Sequence, residues 1–260
     1  TISCMAHFFR KILPKTMVQE NIHIGTSGWS YKHWKDDFYP QKLKAADWFT
    51  YYASKFGIAE INTSFYHLPK QQTVINWDAK APPNFLFCAK LSRYITHLKK
   101  LKEAEEPLQR FFEIFEPLEK KMGPVLVQLP PMLKFNYDVA ENFFKQIAQY
   151  KQYEFVLEIR HKTWLDDESL TLMARYNIGL VISQSDNIFP YSEMVTAKNV
   201  YVRFHGPHEL YASAYSDEML HYYAAKFREW VADGHVVWAF FNNDIHGHAF
   251  RDAERLLQMV

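Results

Sequence analysis

From residue 22 onward, short β-branched and aromatic runs alternate with longer stretches in which apolar residues recur every three or four positions. Runs that are apolar throughout, without polar alternation, mark strands covered on both faces, and their alternation with helical patterns signals βα units around a parallel sheet. Eight runs qualify: 22–25, 58–62, 85–90, 125–129, 155–159, 178–183, 200–204 and 236–241. Between them lie amphipathic stripes. Trp48, Tyr51, Tyr52 and Phe56 form one, closed by Gly57 in the position past a helix end. Leu108, Phe111, Phe112, Phe115 and Leu118 form another, closed by Gly123-Pro124. Leu220, Tyr223, Phe227 and Trp230 form a third, ended by Gly234 and capped at its start by Ser216. The stretch 186–198 is too short and turn-rich for a full helix, so the sixth crossover should be irregular.

Eight such units either close into a barrel or lie open as a doubly wound sheet. The first strand argues for closure. Ile24-Gly25-Thr26-Ser27-Gly28 lacks the third glycine of a dinucleotide fingerprint, and a Trp-rich polar loop follows it where a helix should start. With no internal repeat or low-complexity linker, the expected architecture is a single TIM-type (β/α)8 barrel over residues 22–260, irregular at its sixth unit. Residues 1–21 are read as an N-terminal extension or artificial remnant.

A barrel of this kind carries its chemistry at the carboxyl ends of the strands. The residues delivered there are polar: Thr26, Ser27, Trp29 and Tyr31 after strand one, Asn62, Ser64 and Tyr66 after strand two, Lys90, and Gln128. Strand five gives Glu158, Arg160 and His161, strand six Ser183 and Asp186, strand seven Arg203 and His205, and strand eight Asn242, Asn243 and Asp244. Strand periodicity places Glu158 with Arg160, and Arg203 with His205, on one side of their strands. Each charge inside a barrel needs a partner, so Glu158 should meet Arg160, Lys90 or Arg203. Lys90, Arg160 and Arg203 converging on one mouth would make an anion site suited to phosphate or carboxylate.

His205 precedes Gly206-Pro207, a turn that leaves its imidazole at the strand end, and with Glu158 it is the candidate acid–base pair, joined by Asp244. Glu158, His205 and Asp244 also offer a divalent-metal alternative, opposed by the three nearby cations. Exposed aromatics at the loop tips suggest a platform for a base or sugar ring, although most should seal the barrel top. Cys88, mid-strand between Phe87 and Ala89, should be an inert core residue, and Ser27 and Ser64 lack the strand-to-helix elbow of a nucleophilic serine.

Composition narrows the classes. A net charge of +1 draws the chain to neither nucleic acid nor membrane. Two cysteines, Cys4 and Cys88, make no disulfide framework or thiolate metal site and fit a reducing, cytoplasmic setting. The chain contains no apolar run of membrane-spanning length and no signal-peptide pattern.

Gly25-Thr26-Ser27-Gly28-Trp29-Ser30-Tyr31 with Phe38-Tyr39-Pro40, Glu60-Ile61-Asn62-Thr63-Ser64-Phe65-Tyr66, Gln128-Leu129-Pro130-Pro131, Glu158-Ile159-Arg160-His161, Arg203-Phe204-His205-Gly206 and Phe241-Asn242-Asn243-Asp244 together closely resemble the YecE-like family, domain of unknown function 72. The resemblance implies a TIM-barrel fold and a site drawn from Thr26, Trp29, Asn62, Tyr66, Lys90, Gln128, Glu158, Arg160, Arg203, His205, Asn242 and Asp244. It implies no particular reaction.

The leading expectation is therefore a hydrolase or lyase acting on a small phosphorylated or otherwise anionic molecule. In it Glu158, His205 and Asp244 are catalytic, and the other residues of that set bind substrate. The alternatives are a nucleic-acid binder or metal-dependent phosphodiesterase, by fold analogy with DNA-repair barrels, and a non-enzymatic metabolite-binding module. No cofactor is indicated by the residues themselves.

Overall fold

The computed structural model describes residues 20–260, so residues 1–19, most of the expected N-terminal extension, lie outside the described residues. Eight parallel strands follow one another: β1 (Ile22–Ser27), β2 (Ile58–Ile61), β3 (Leu86–Ala89), β4 (Val125–Gln128), β5 (Phe155–Glu158), β6 (Ile178–Gln184), β7 (Asn199–Phe204) and β8 (Val236–Phe241). Their order across the sheet is β3-β2-β1-β8-β7-β6-β5-β4. The two ends of that order meet through the bridges Phe87↔Met122 and Lys90↔Leu126, and Leu91 N donates to Leu126 O at 2.8 Å. The sheet thus curls into a nearly closed (β/α)8 barrel, with Lys90 at its seam.

The flanking helices are α1 (Trp48–Ala53), α2 (Gln71–Lys80), α3 (Glu105–Phe115), α4 (Tyr137–Ile147), α5 (Asp167–Arg175), α6 (Asp217–Ala232) and α7 (His248–Met259). Each turns an apolar stripe onto the outside of the sheet, as Phe111, Phe112 and Phe115 of α3 and Leu220, Tyr223 and Phe227 of α6 do. Ser216 caps α6, its side chain accepting from Met219 N, and Gly234 follows the helix with a left-handed φ of 91°. Gly57 does not play the matching role after α1. That helix ends at Ala53, and a closing turn, in which Phe56 N donates to Tyr52 O at 2.9 Å, makes a left-handed residue unnecessary. The sixth crossover, residues 185–198, has no helix and lies as an irregular strap.

Two cores result. The larger fills the layer between sheet and helices. The smaller, inside the barrel, contains Ile58, Cys88, Leu126, Val156, Val181, Tyr201, Trp238 and Phe240. These inner residues are a floor that excludes water from below. The alternation that sends them inward sends polar residues inward one layer higher, at the strands' carboxyl ends.

Candidate functional site

The parity of each strand decides which side chains reach the barrel interior. Ser27 pairs in register with Glu60, Glu60 with Cys88, Gln128 with Glu158, Ser183 with Arg203, and Arg203 with Phe240. Lys90, Arg160, His205 and Asn242 extend the inward positions two residues past Cys88, Glu158, Arg203 and Phe240. Gly206 makes the turn beyond His205. Its φ of 109° is left-handed, and a Cβ there would lie 2.3 Å from Glu209 O.

At the centre, Arg203 is clamped between two carboxylates. Its Nη2 and Nε donate to Glu60 Oε1 and Oε2 at 2.7 and 3.0 Å, and its Nη1 donates to Glu158 Oε2 at 2.8 Å. Ser27 Oγ and Tyr201 OH complete the shell of Glu60, each donating at 2.7 Å. On Glu158, Oε1 receives Arg160 Nη2 at 2.9 Å, Ser183 Oγ at 3.0 Å and His205 Nε2 at 2.9 Å. Both carboxylates and Arg203 are buried, and every carboxylate oxygen has a donor.

Nearer the mouth, Lys90 Nζ donates to Gln128 Oε1 at 2.6 Å and lies 4.1 Å from the centre of the Phe65 ring. The guanidinium of Arg160 is covered by Phe189 of the strap at 3.4 Å. Phe189 and Tyr211 both meet the His205 ring edge-on at 5.4 Å. Asn242 Nδ2 approaches His205 Nδ1 at 3.2 Å. With Nε2 facing a carboxylate and Nδ1 facing an amide donor, the imidazole is satisfied as the neutral tautomer carrying its proton on Nε2. Asn62 Oδ1, one residue past β2, is buried without a hydrogen-bond partner.

These surroundings set the charges. Burial alone would raise Glu158, but Arg160, Arg203 and the His205 hydrogen bond outweigh it and hold the carboxyl well below its usual range. Glu60 is lowered in the same way, chiefly by Arg203 against burial. Burial lowers His205 to about 4, so it is neutral at physiological pH. Lys90 is pulled down to about 7, first by burial and then by the field of Arg203. Two carboxylates and two guanidiniums cancel. Protonated Lys90 then leaves one positive charge without a counterion, because its direct contacts among the described residues are a neutral amide and a ring.

The structure brings together Glu158, His205, Arg160, Arg203, Lys90, Gln128 and Asn242, with Asn62 beside them. It does not bring Thr26, Trp29 or Asp244 into that cluster. Thr26 Oγ1 donates to Gly28 O at 2.6 Å and lies 3.0 Å from the Tyr52 hydroxyl on the helix side, because Ser27, its neighbour of opposite parity, takes the inward position. The Trp29 ring packs among Phe49, Tyr52, Trp77 and Phe87. Asp244 accepts from Trp34 Nε1 at 2.6 Å and pairs with His33 Nε2 at 2.8 Å, tying the loop after β8 to the loop after β1. The set Glu158, His205 and Asp244 proposed for a metal is therefore not assembled, and among the described residues no group of three or more His, Cys, Asp or Glu could hold an ion. Tyr66 stands at the rim, 62% exposed.

Glu60 and Tyr201 are central residues that the sequence alone does not place in the site, and Ser27, set at the end of strand one, is not among the expected binding residues. Glu60 carried the needed signal: a carboxylate inside the apolar run Ile58-Ala59-Glu60-Ile61, two residues before Asn62 and of its parity.

Among the described residues no helix is long and apolar enough to cross a membrane. The family model described as "Protein of unknown function DUF72" matches residues 23–260. YecE of Escherichia coli strain K12 is 30% identical over 109 residues, which cover 42% of this chain and only 38% of YecE. YunF of Bacillus subtilis strain 168 is 23% identical, over 92% of this chain and 94% of YunF. The crystal structure of a DUF72 family protein from Thermotoga maritima MSB8 superposes with a TM-score of 0.81 at 28% identity, covering 92% of this chain and 98% of that one.

Proposed function

The chain belongs to the DUF72 family, and from that premise we propose that it is an enzyme acting on a small anionic substrate, phosphorylated or carboxylated, bound at the carboxyl-end mouth of the barrel. The observation that carries this reading is the unbalanced charge of Lys90. A buried ammonium with no counterion is costly, and an incoming anion would relieve that cost. Arg160 adds a second cation at the same end, with its Nε and part of its Nη edge not engaged by Glu158. Phe65, Phe189 and Tyr211 around the cations favour a small ligand over a polymer.

The roles differ from those expected from sequence. Arg203 has its donors taken by Glu60, Glu158 and Ser27, so it fixes the two carboxylates instead of meeting substrate. Glu158 is saturated with donors and His205 is neutral well below physiological pH, so neither is suited to exchange a proton near pH 7. Lys90 is suited to it. Its value of about 7 leaves both forms populated, while Glu158, His205 and Asn242 hold the surrounding field and geometry.

Thermal unfolding tests the reading, with inorganic phosphate, phosphorylated metabolites, dicarboxylates and short oligonucleotides added at matched ionic strength. A small anion present at about 100 times its Kd should stabilise the protein by roughly 2.7 kcal/mol. The effect should vanish in Lys90→Met. Stabilisation by oligonucleotides alone, falling steeply with salt, would overturn the reading in favour of strand binding. A stabilising anion recovered unchanged after prolonged incubation with all candidate co-substrates would leave a binding module.

A further inference from the structure

Lys90 has a second property that anion binding does not use. It is a primary amine near the mouth, 7% exposed, in direct ion-pair contact with no carboxylate among the described residues, at a position where the neutral form is populated near pH 7. Its Nζ has fixed neighbours: Gln128 Oε1 accepts from it at 2.6 Å and the Phe65 ring covers one side. Lys90 N donates to Ile61 O at 3.0 Å, which ties its strand end to that of Asn62. The buried Oδ1 of Asn62 is an acceptor with no partner, in the strand next to the amine. An amine near the mouth, a buried unused acceptor just past the neighbouring strand, and Arg160 at the same end form a set of groups suited to a carbonyl compound that carries an anionic group.

We propose that Lys90 is a nucleophile that forms a Schiff base with an aldehyde or ketone bearing a carboxylate or phosphate, its anionic group held by Arg160. The inference rests on the anionic-substrate reading above and names the substrate class within it. The Nζ lone pair attacks the carbonyl carbon, a C–N bond forms, and a proton passes from nitrogen to oxygen to give a carbinolamine. The new hydroxyl is a donor for Asn62 Oδ1. The nitrogen lone pair then expels the hydroxyl, which takes up a proton from solvent at the mouth and leaves as water as the C–O bond breaks, and a protonated imine remains. No oxidant or reductant is consumed. The imine carries the same positive charge as the ammonium it replaces, so the charge balance with the bound anion is kept. A lysine positioned near neutrality by burial and neighbouring cations is the state that such chemistry needs.

The test uses the full chain with glyoxylate and glycolaldehyde phosphate as probes, neutral glycolaldehyde as control, and sodium borohydride to trap the imine, followed by peptide mass spectrometry. The expected result is a reduced adduct on the Lys90 peptide, formed at least tenfold faster with the two anionic probes than with glycolaldehyde, while exposed Lys102 stays largely unmodified. Lys90→Arg keeps a cation and removes the nucleophile, so it should lose the adduct. Adducts spread over surface lysines with Lys90 unmodified would overturn the Schiff-base proposal. If phosphate still stabilises the native chain in that case, the anionic-substrate reading survives alone. If phosphate stabilisation is also absent, both fail.

Discussion

Arg203 and Glu60 face each other across the barrel interior as a bidentate pair, Nη2 to Oε1 at 2.7 Å and Nε to Oε2 at 3.0 Å, with neither side chain reaching solvent. The same guanidinium holds Glu158 at 2.8 Å, so a single cation from β7 fastens β2 and β5. Removing it would leave two ionised carboxylates buried with too little compensation. Arg203→Met should therefore cost about 3–5 kcal/mol or prevent folding, measured by urea unfolding. A loss below about 1 kcal/mol, with anion binding abolished, would mean that Arg203 meets ligand after all.

Lys90 titrates at about 7 in the folded chain against 10.5 when unperturbed. Between these values the unfolded state binds more protons than the folded one, so stability rises with pH across that window and is lowest below pH 7. Urea midpoints followed from pH 6 to pH 10 should climb in the native protein. Lys90→Met should remove that climb and raise stability below pH 7. Parallel profiles for the two proteins would show that Lys90 titrates normally.

His205 owes its low value of about 4 to burial, and Phe189 is one wall of that burial, meeting its ring edge-on at 5.4 Å. Phe189→Ala should admit water and move the imidazole toward 6.5. The change would be visible as the assigned His205 resonance shifting its NMR titration midpoint from about 4 upward. The same change uncovers Arg160 and should weaken phosphate binding by about 0.5–2 kcal/mol. A His205 signal unaffected by the substitution would assign its low value to the other walls of its burial and to the cations Arg203 and Arg160, acting against Glu158.

The alternation of apolar runs and helical stripes was enough to read eight βα units, and the missing dinucleotide fingerprint after strand one, with the family resemblance, chose the barrel over an open sheet. The irregular sixth crossover was legible too, from the absence of a helical stripe. What could not be read was parity on β1. Thr26 and Ser27 are both small and hydroxylated, and only their pairing with Ala59 and Glu60 shows that Ser27 faces inward. Trp29 and Asp244 were misplaced for a related reason. Both follow strand ends closely, but the loops turn them outward, to Phe49 and Trp77 in one case and to Trp34 and His33 in the other. Glu60 shows the converse. Its burial cost was visible in sequence, since like Glu158 it is a carboxylate within an apolar run and needs a buried cation.

Asp244 offers a last check on which groups belong to the mouth. Burial lifts its carboxyl from 3.8 to about 6, against the opposing effects of Trp34 and His33. Between those values the folded state holds the proton more tightly than the unfolded one, so Asp244 lowers stability as pH rises through the window. His205 acts in the opposite sense between about 4 and 6.5, where the unfolded chain takes up the proton. The two slopes partly cancel in the native protein. Asp244→Asn keeps an acceptor for Trp34 Nε1 and removes one slope, so stability should rise more steeply between pH 4 and pH 6 than in the native chain. Because Asp244 contacts His33 and Trp34 and not Glu158, the variant should bind phosphate with unchanged affinity. Loss of phosphate stabilisation in Asp244→Asn, with the fold intact, would extend the site from the barrel interior to the loop after β8.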